Sequence, residues 1–160
     1  MFEIFISYKD NKEYLISPNN NNYNLDIFTL INNKIILSLK GHKNDIRTIR
    51  YFINKKDYNE YLISGDDNKI VIIWDITNNY NIKYQIDTKY EDYIYSCLLI
   101  FPDNIVDSYI ITSTLCESDD NNKSATKIYS LNNGQFIKYI NNTKKNIHRG
   151  GTYLDFYRNK

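Results

Sequence analysis

The chain has 160 residues and a mass of 19.1 kDa, enough for one domain with its own core and too little for a multidomain machine. Lysine and arginine number 20 against 19 aspartates and glutamates, a formal charge of +1, so no strong field exists to recruit nucleic acid or an anionic membrane. Half the residues are of four types, 24 Asn, 26 Ile, 16 Lys and 16 Tyr, while Gly is 5, Pro 2 and Met 1. These four are the residues of adenine- and thymine-rich codons. The excess of asparagine is therefore read as compositional background and not as a functional tract.

At the N-terminus, Met1-Phe-Glu-Ile-Phe-Ile-Ser-Tyr-Lys9 carries an acidic residue inside its apolar patch, with no basic lead-in and no small-residue cleavage site, which is not the pattern of a signal peptide. From there the chain reads as short strands rich in Ile, Tyr, Val and Phe, bounded by Asn, Asp, Gly and Pro. The first unit predicts strands over 4–8, 14–17, 25–30 and 34–39. The second predicts them over 46–53, 61–64, 70–76 and 82–86, and the third over 94–101, 109–114, 126–131 and 135–140. No stretch shows a sustained helical period. The longest apolar runs, 70–74 and 97–101, are strand-sized, far short of the roughly 18 residues of a spanning helix.

The units repeat. Tyr14-Leu-Ile-Ser17, Tyr61-Leu-Ile-Ser64 and Tyr109-Ile-Ile-Thr112 share one form and stand 47 and 48 positions apart. About a dozen residues on come Ile27-Phe28-Thr29-Leu30, Ile73-Trp74-Asp75-Ile76 and Ile128-Tyr129-Ser130-Leu131, each followed by an asparagine pair at 32–33, 78–79 or 132–133 that marks a turn. The third unit is longer because its 116–124 turn carries extra polar residues. Four short strands repeated at such a period must bury their faces against neighbouring units.

The second unit resembles the WD-repeat (WD40) family of β-propellers. Gly41-His42 opens it, and Leu62-Ile-Ser-Gly-Asp-Asp-Asn-Lys-Ile-Val-Ile-Ile-Trp-Asp75 supplies a serine strand, an acidic turn and a Trp-Asp close over about 35 residues. The resemblance implies an all-β, WD40-like β-propeller of about three four-stranded antiparallel blades plus a remnant. The blades would fall at about 1–40, 41–90 and 91–145 of a partial propeller over 1–145, followed by a divergent tail at 146–160. It further implies a hydrogen-bond chain from a turn acid to His42, then Ser64, then the indole NH of Trp74. At the usual distance before the tryptophan stands Asn68, with Asp67 one residue earlier, so either the turn is shifted or an amide replaces the carboxylate. Units one and three keep the hydroxyl (Ser17, Thr112) and the aromatic (Phe28, Tyr129) but lack Gly-His and Trp-Asp. Phe28 has no NH to donate, which predicts that the first blade rests on packing alone. Closed propellers have about 4 to 8 blades, which points to a fragment of a longer propeller, or to completion by another copy or a second chain.

Outside that pattern little suggests chemistry. His42 beside Gly41 reads as structural, and His148 has no assigned role. Cys97 and Cys116 stand apart without metal-ligand or disulfide spacing, so no metal and a reducing compartment, cytoplasm or nucleus, are expected. The 117–122 loop lacks the alternate-ligand spacing of a calcium site. Lys55-Lys56 and Lys144-Lys145 read as solvated turns. There is no Gly-rich phosphate loop, no GxSxG and no paired nucleophile and base, so no catalytic residue and no cofactor is expected. Tyrosine suits contact surfaces, although codon bias accounts for it as well. The reading that follows is a non-catalytic scaffold for proteins or peptides. The alternatives are a ligand or enzymatic site in a central channel, where Arg47 and Arg50 are the charged candidates, and a non-functional gene fragment.

Overall fold

The structure, a computed structural model, describes residues 2–89, 93–103, 107–114 and 125–141. Cys116, the 117–122 loop, Lys144, Lys145, His148 and the 146–160 segment lie outside the described residues.

The described residues form twelve strands and no helix: β1 (Glu3–Ile6), β2 (Glu13–Asn19), β3 (Asn24–Thr29), β4 (Lys34–Leu39), β5 (Ile46–Ile53), β6 (Glu60–Asp66), β7 (Ile70–Asp75), β8 (Asn81–Asp87), β9 (Ser96–Ile100), β10 (Tyr109–Ser113), β11 (Ala125–Ser130) and β12 (Phe136–Asn141). Among them no helix is long and apolar enough to cross a membrane. The strands make three four-stranded sheets, β1–β4, β5–β8 and β9–β12, each an antiparallel meander in chain order. Every predicted strand is present, with ends shifted by a few residues. The strand predicted from Ile94 starts at Ser96 because the Ile94 NH bonds back to the Asp66 carbonyl of the second sheet. β2 runs on through Pro18, which pairs with Leu25 but lies past the end of β1, so its missing NH costs no ladder bond.

One irregularity recurs in all three sheets. The pairing of the third and fourth strands slips between Ile27 and Phe28, between Ile73 and Trp74, and between Ile128 and Tyr129. Each bulge falls at the repeated aromatic, where an extra residue on the outer strand twists the sheet. The hairpin turns share a device too. Asn11, Tyr23, Tyr58 and Gly134 each donate their NH to the carbonyl four residues earlier and have positive φ, yet only one of the four is glycine. In a chain with 5 glycines, asparagine, tyrosine and lysine take left-handed positions that glycine fills at no steric cost.

The sheets pack face to face, with β1 against β5 and β5 against β9. One apolar cluster lies between the first and second sheets, including Phe5, Ile16, Leu25, Ile27, Leu62, Ile72 and Trp74. A second lies between the second and third, including Ile63, Val71, Ile73, Ile94, Leu99, Ile110 and Tyr129. The middle sheet is thus covered on both faces, and every residue of β6 is buried. That is why β7 reads as the unbroken run Ile70-Val-Ile-Ile-Trp74, where a half-exposed strand would alternate. Each fully buried isoleucine or tryptophan here contributes about 1.5–3 kcal/mol by burial.

Candidate functional site

Alternation along β6 places Leu62, Ser64 and Asp66 on one face, toward the first sheet. The lead-in to β5 carries His42 onto that face, and β7 brings Trp74 across from Leu62. Nδ1 of His42 lies 2.8 Å from Oδ2 of Asp66, Nε2 of His42 lies 2.7 Å from Oγ of Ser64, and Nε1–H of Trp74 donates to the same Oγ at 2.9 Å. The second carboxylate oxygen of Asp66 accepts the NH of Ile70 at 2.9 Å. An indole NH can only donate. One direction therefore satisfies every group: Trp74 gives to Ser64, Ser64 gives to Nε2, and Nδ1–H gives to Asp66. The chain joins the β4–β5 connection, β6 and β7 through side chains that are all buried. Such a network rigidifies when every member is satisfied.

His42, Ser64 and Trp74 stand together as the motif predicted. The acid does not: it is Asp66, and neither Asp67 nor Asn68 reaches the histidine. Asp67 instead takes a two-pronged ion pair from Arg47, with Nε and Nη2 each 2.6 Å from a carboxylate oxygen. Asn68 accepts from the Asn44 side chain at 2.9 Å, and Asp75 caps the next turn through the NH of Asn78. Gly41 has a steric role. A Cβ there would sit 2.9 Å from both Ile72 Cδ1 and Trp74 Cη2, so only glycine lets the histidine segment lie against the tryptophan.

An aspartate, a histidine and a serine in hydrogen-bonded order are the parts of an acyl-transfer triad. Here, however, Ser64 is 0% exposed and its hydroxyl is engaged on both sides. A nucleophile must meet a substrate, and this oxygen meets tryptophan.

The first sheet does not rest on packing alone. Asp26, buried on β3, accepts from the Asn19 amide at 2.8 Å and from the Ser38 hydroxyl at 2.5 Å, tying β2, β3 and β4 together beside Phe28. A second unpredicted hub is Glu60. Its buried carboxylate accepts from the hydroxyls of Ser7 (3.1 Å) and Tyr51 (2.8 Å) and from the backbone NH groups of Tyr8 and Lys9 (3.0 Å each). It thereby pins the β1–β2 turn of the first sheet to the second, and Tyr8 stacks on Tyr58 at 4.5 Å beside it. No motif announces Glu60. The one available signal was an acid directly before the repeated Tyr-Leu-Ile-Ser strand.

Between the turns of the second and third sheets runs an open cleft of about 750 Å³. Tyr61 and Phe101 stack at 5.8 Å within it, Lys83 lies over the Tyr61 ring at 5.5 Å, and Lys56, Asp57 and Asp103 line its rim. Lys55 borders an adjoining groove with Phe52 and Leu98. Cys97 is buried, and burial pushes its thiol up to about 12, which removes the thiolate needed for reactivity. Among the described residues no group of histidine, cysteine or carboxylate side chains is placed to hold a metal ion. Set against known protein families the chain matches none, and no curated protein matches it either.

Proposed function

We propose that this chain is a non-catalytic protein-interaction scaffold whose three sheets are blades of a WD-repeat-type β-propeller, and that it docks an extended peptide in the cleft between the second and third sheets. The cleft carries the reading. Its stacked Tyr61 and Phe101 give an apolar floor, and Lys56, Lys83, Asp57 and Asp103 supply both signs of charge around it. A floor of that kind with polar groups at its edge accommodates an apolar or aromatic anchor and orients the chain on either side. Further support comes from the bulge recurring at Phe28, Trp74 and Tyr129 and from the buried chain of Asp66, His42, Ser64 and Trp74. The polar groups most suggestive of chemistry are spent on joining strands.

The test is selection of peptides from a displayed random library on the purified chain, followed by titration of the winners against Lys83→Glu and Asp103→Lys. The expected result is a set of related sequences whose affinity falls tenfold or more in both variants, with circular dichroism unchanged. Failure to enrich any sequence, or winners that bind both variants as well as the parent, would overturn the reading.

A further inference from the structure

The turns that lead into β2 and β6 are built alike. Ser7 and Asn54 each donate an NH to the carbonyl five residues on, and Asn11 and Tyr58, both at positive φ, each donate one to the carbonyl four residues back. Within the turns the Lys9 NH meets the Ser7 hydroxyl at 3.2 Å, and the Lys56 NH meets the Asn54 side-chain oxygen at 3.1 Å. Tyr8 and Lys9 therefore correspond to Lys55 and Lys56.

Each turn meets the next sheet near the residue that precedes the repeated Tyr-aliphatic-Ile strand. On the first turn that residue is Glu60, whose carboxylate accepts the NH groups of Tyr8 and Lys9 at 3.0 Å each. On the second it is Ser108. Glu60 and Ser108 correspond, because the carbonyl of each accepts the NH just past the third strand of its sheet, from Ile76 and Leu131. Tyr51, whose phenol donates to Glu60 at 2.8 Å, has Leu99 in its place. The second turn thus has no built-in carboxylate, and among the described residues the Lys55 NH has no acceptor. The open cleft lined by Asn54, Lys56 and Ser108 lies where the first junction holds the Glu60 carboxylate.

The charge in the cleft suits such a group. Lys83 is the extra residue of the β8 bulge, where β4 has Ile36. Its ammonium lies over the rings of Tyr61 and Tyr84, and no carboxylate of the described residues pairs with it. Asp57 is no obstacle. Its oxygens hold the NH and the side-chain amide of Asn59 at 3.0 and 2.8 Å, just as Asp10 holds Lys12 and Tyr14 beside the Glu60 site.

We propose that the peptide docked in this cleft carries an aspartate or glutamate whose carboxylate takes the backbone NH groups of Lys55 and Lys56 near the Lys83 ammonium, as Glu60 takes those of Tyr8 and Lys9. This chemistry rests on the peptide-docking reading above and adds one residue of the peptide to it. The acid is a side chain within the peptide and not its terminus, because the cleft continues past Asn54 and Phe101 into the groove lined by Phe52 and Leu98. A carboxylate so held makes charge-assisted hydrogen bonds, about twice as strong as neutral ones, and an amide in its place forfeits that gain.

The experiment has two arms. In the first, Ser108→Glu returns a carboxylate to the third sheet, and amide hydrogen exchange is read on the full chain. Exchange at Lys55 and Lys56 is expected to slow tenfold or more, toward the rates of Tyr8 and Lys9, with circular dichroism unchanged. In the second, peptides selected on the parent are synthesised with amidated C-termini, each beside a form whose acid is replaced by glutamine or asparagine. The parent is expected to bind the acidic form at least tenfold tighter, and Ser108→Glu to bind both forms alike, its own carboxylate holding the site. Unchanged exchange at Lys55 and Lys56 in Ser108→Glu would overturn the proposal. So would selected peptides that lack an acid, that bind equally well in the amide form, or that bind only with a free C-terminal carboxylate. Each of these leaves the docking reading standing, whereas an empty selection overturns both. Should Ser108→Glu lose its sheet signal, Ser108→Asp takes its place with the same readings.

Discussion

Nδ1 of His42 and Oδ2 of Asp66 lie 2.8 Å apart across 24 residues of chain, and that pair closes the β4–β5 connection onto the end of β6. Both side chains are 1% exposed, so removing one partner strands the other away from water. Asp66→Ala is expected to lower the unfolding free energy by about 3–5 kcal/mol, the usual cost of breaking a buried pair. Asp67→Ala, which loses only a surface pair with Arg47, is expected to cost about 1 kcal/mol or less. Urea denaturation followed by Trp74 fluorescence separates the two. Equal costs would show that the neighbouring aspartates share the role.

Glu60 gives a second asymmetry. Its carboxylate serves four donors drawn from Ser7, Tyr8, Lys9 and Tyr51, so Glu60→Ala leaves the buried Ser7 hydroxyl unpaired at about 1–3 kcal/mol and three part-buried donors that water partly satisfies. The expected outcome is a loss of about 2–3 kcal/mol in urea denaturation, together with early hydrogen exchange at the Tyr8 and Lys9 amides. Unchanged exchange at those amides would mean that the β1–β2 turn holds without the carboxylate.

Left-handed positions filled by ordinary residues predict stabilisation by glycine. Lys69 has φ of 69° and closes the β6–β7 turn through its NH to the Asp66 carbonyl. Lys69→Gly is expected to raise stability by up to about 1 kcal/mol, the strain relieved outweighing the added freedom of the unfolded chain. Gly134→Ala, at φ of 72° with Tyr84 only 3.0 Å from the added carbon, is expected to move stability the other way. Thermal melts of the two variants check both signs.

Alkaline pH should unfold the chain through its tyrosines. Burial, reinforced by a hydrogen bond to Asp10, pushes the Tyr14 phenol up to about 12, and burial with Asp75 nearby does the same for Tyr61. The folded chain holds these protons more tightly than the unfolded one. Their contribution is therefore complete below about pH 10 and is lost as pH rises through 12. Lys127, whose ammonium burial pulls below its usual range, acts with the opposite sign and softens the fall. The urea midpoint is expected to decline from about pH 10 upward, and less steeply in Tyr61→Phe. A midpoint flat to pH 12 would contradict the burial of these rings.

The strands were legible because alternation and turn residues act locally. Tyr61-Leu-Ile-Ser64 and the asparagine pairs placed them without knowledge of the packing. The acid was harder. Asp66, Asp67 and Asn68 are all polar, and counting back from Trp74 favoured the later two. The deciding fact is that Ser64 and Asp66, two apart on a strand, share a face while Asp67 does not. That inference needs β6 to continue through Gly65, where a Cβ would lie 2.5 Å from Ile94 of the next sheet's lead-in. Glu60 and Asp26 were illegible for a related reason. Their partners, Ser7 and Tyr51 for one and Asn19 and Ser38 for the other, are brought near only by pairing and stacking.

The central claim is that the polar chain ending at Trp74 is a buried structural staple. Trp74 is the chain's one tryptophan, so its indole NH gives a single resonance, and hydrogen exchange at that proton is the direct test. The account predicts exchange slowed to the rate of global unfolding, accelerating with urea in step with the denaturation curve, and a collapse of that protection in Asp66→Ala. Rapid exchange in the native parent chain would mean that the indole meets water and that the staple does not hold.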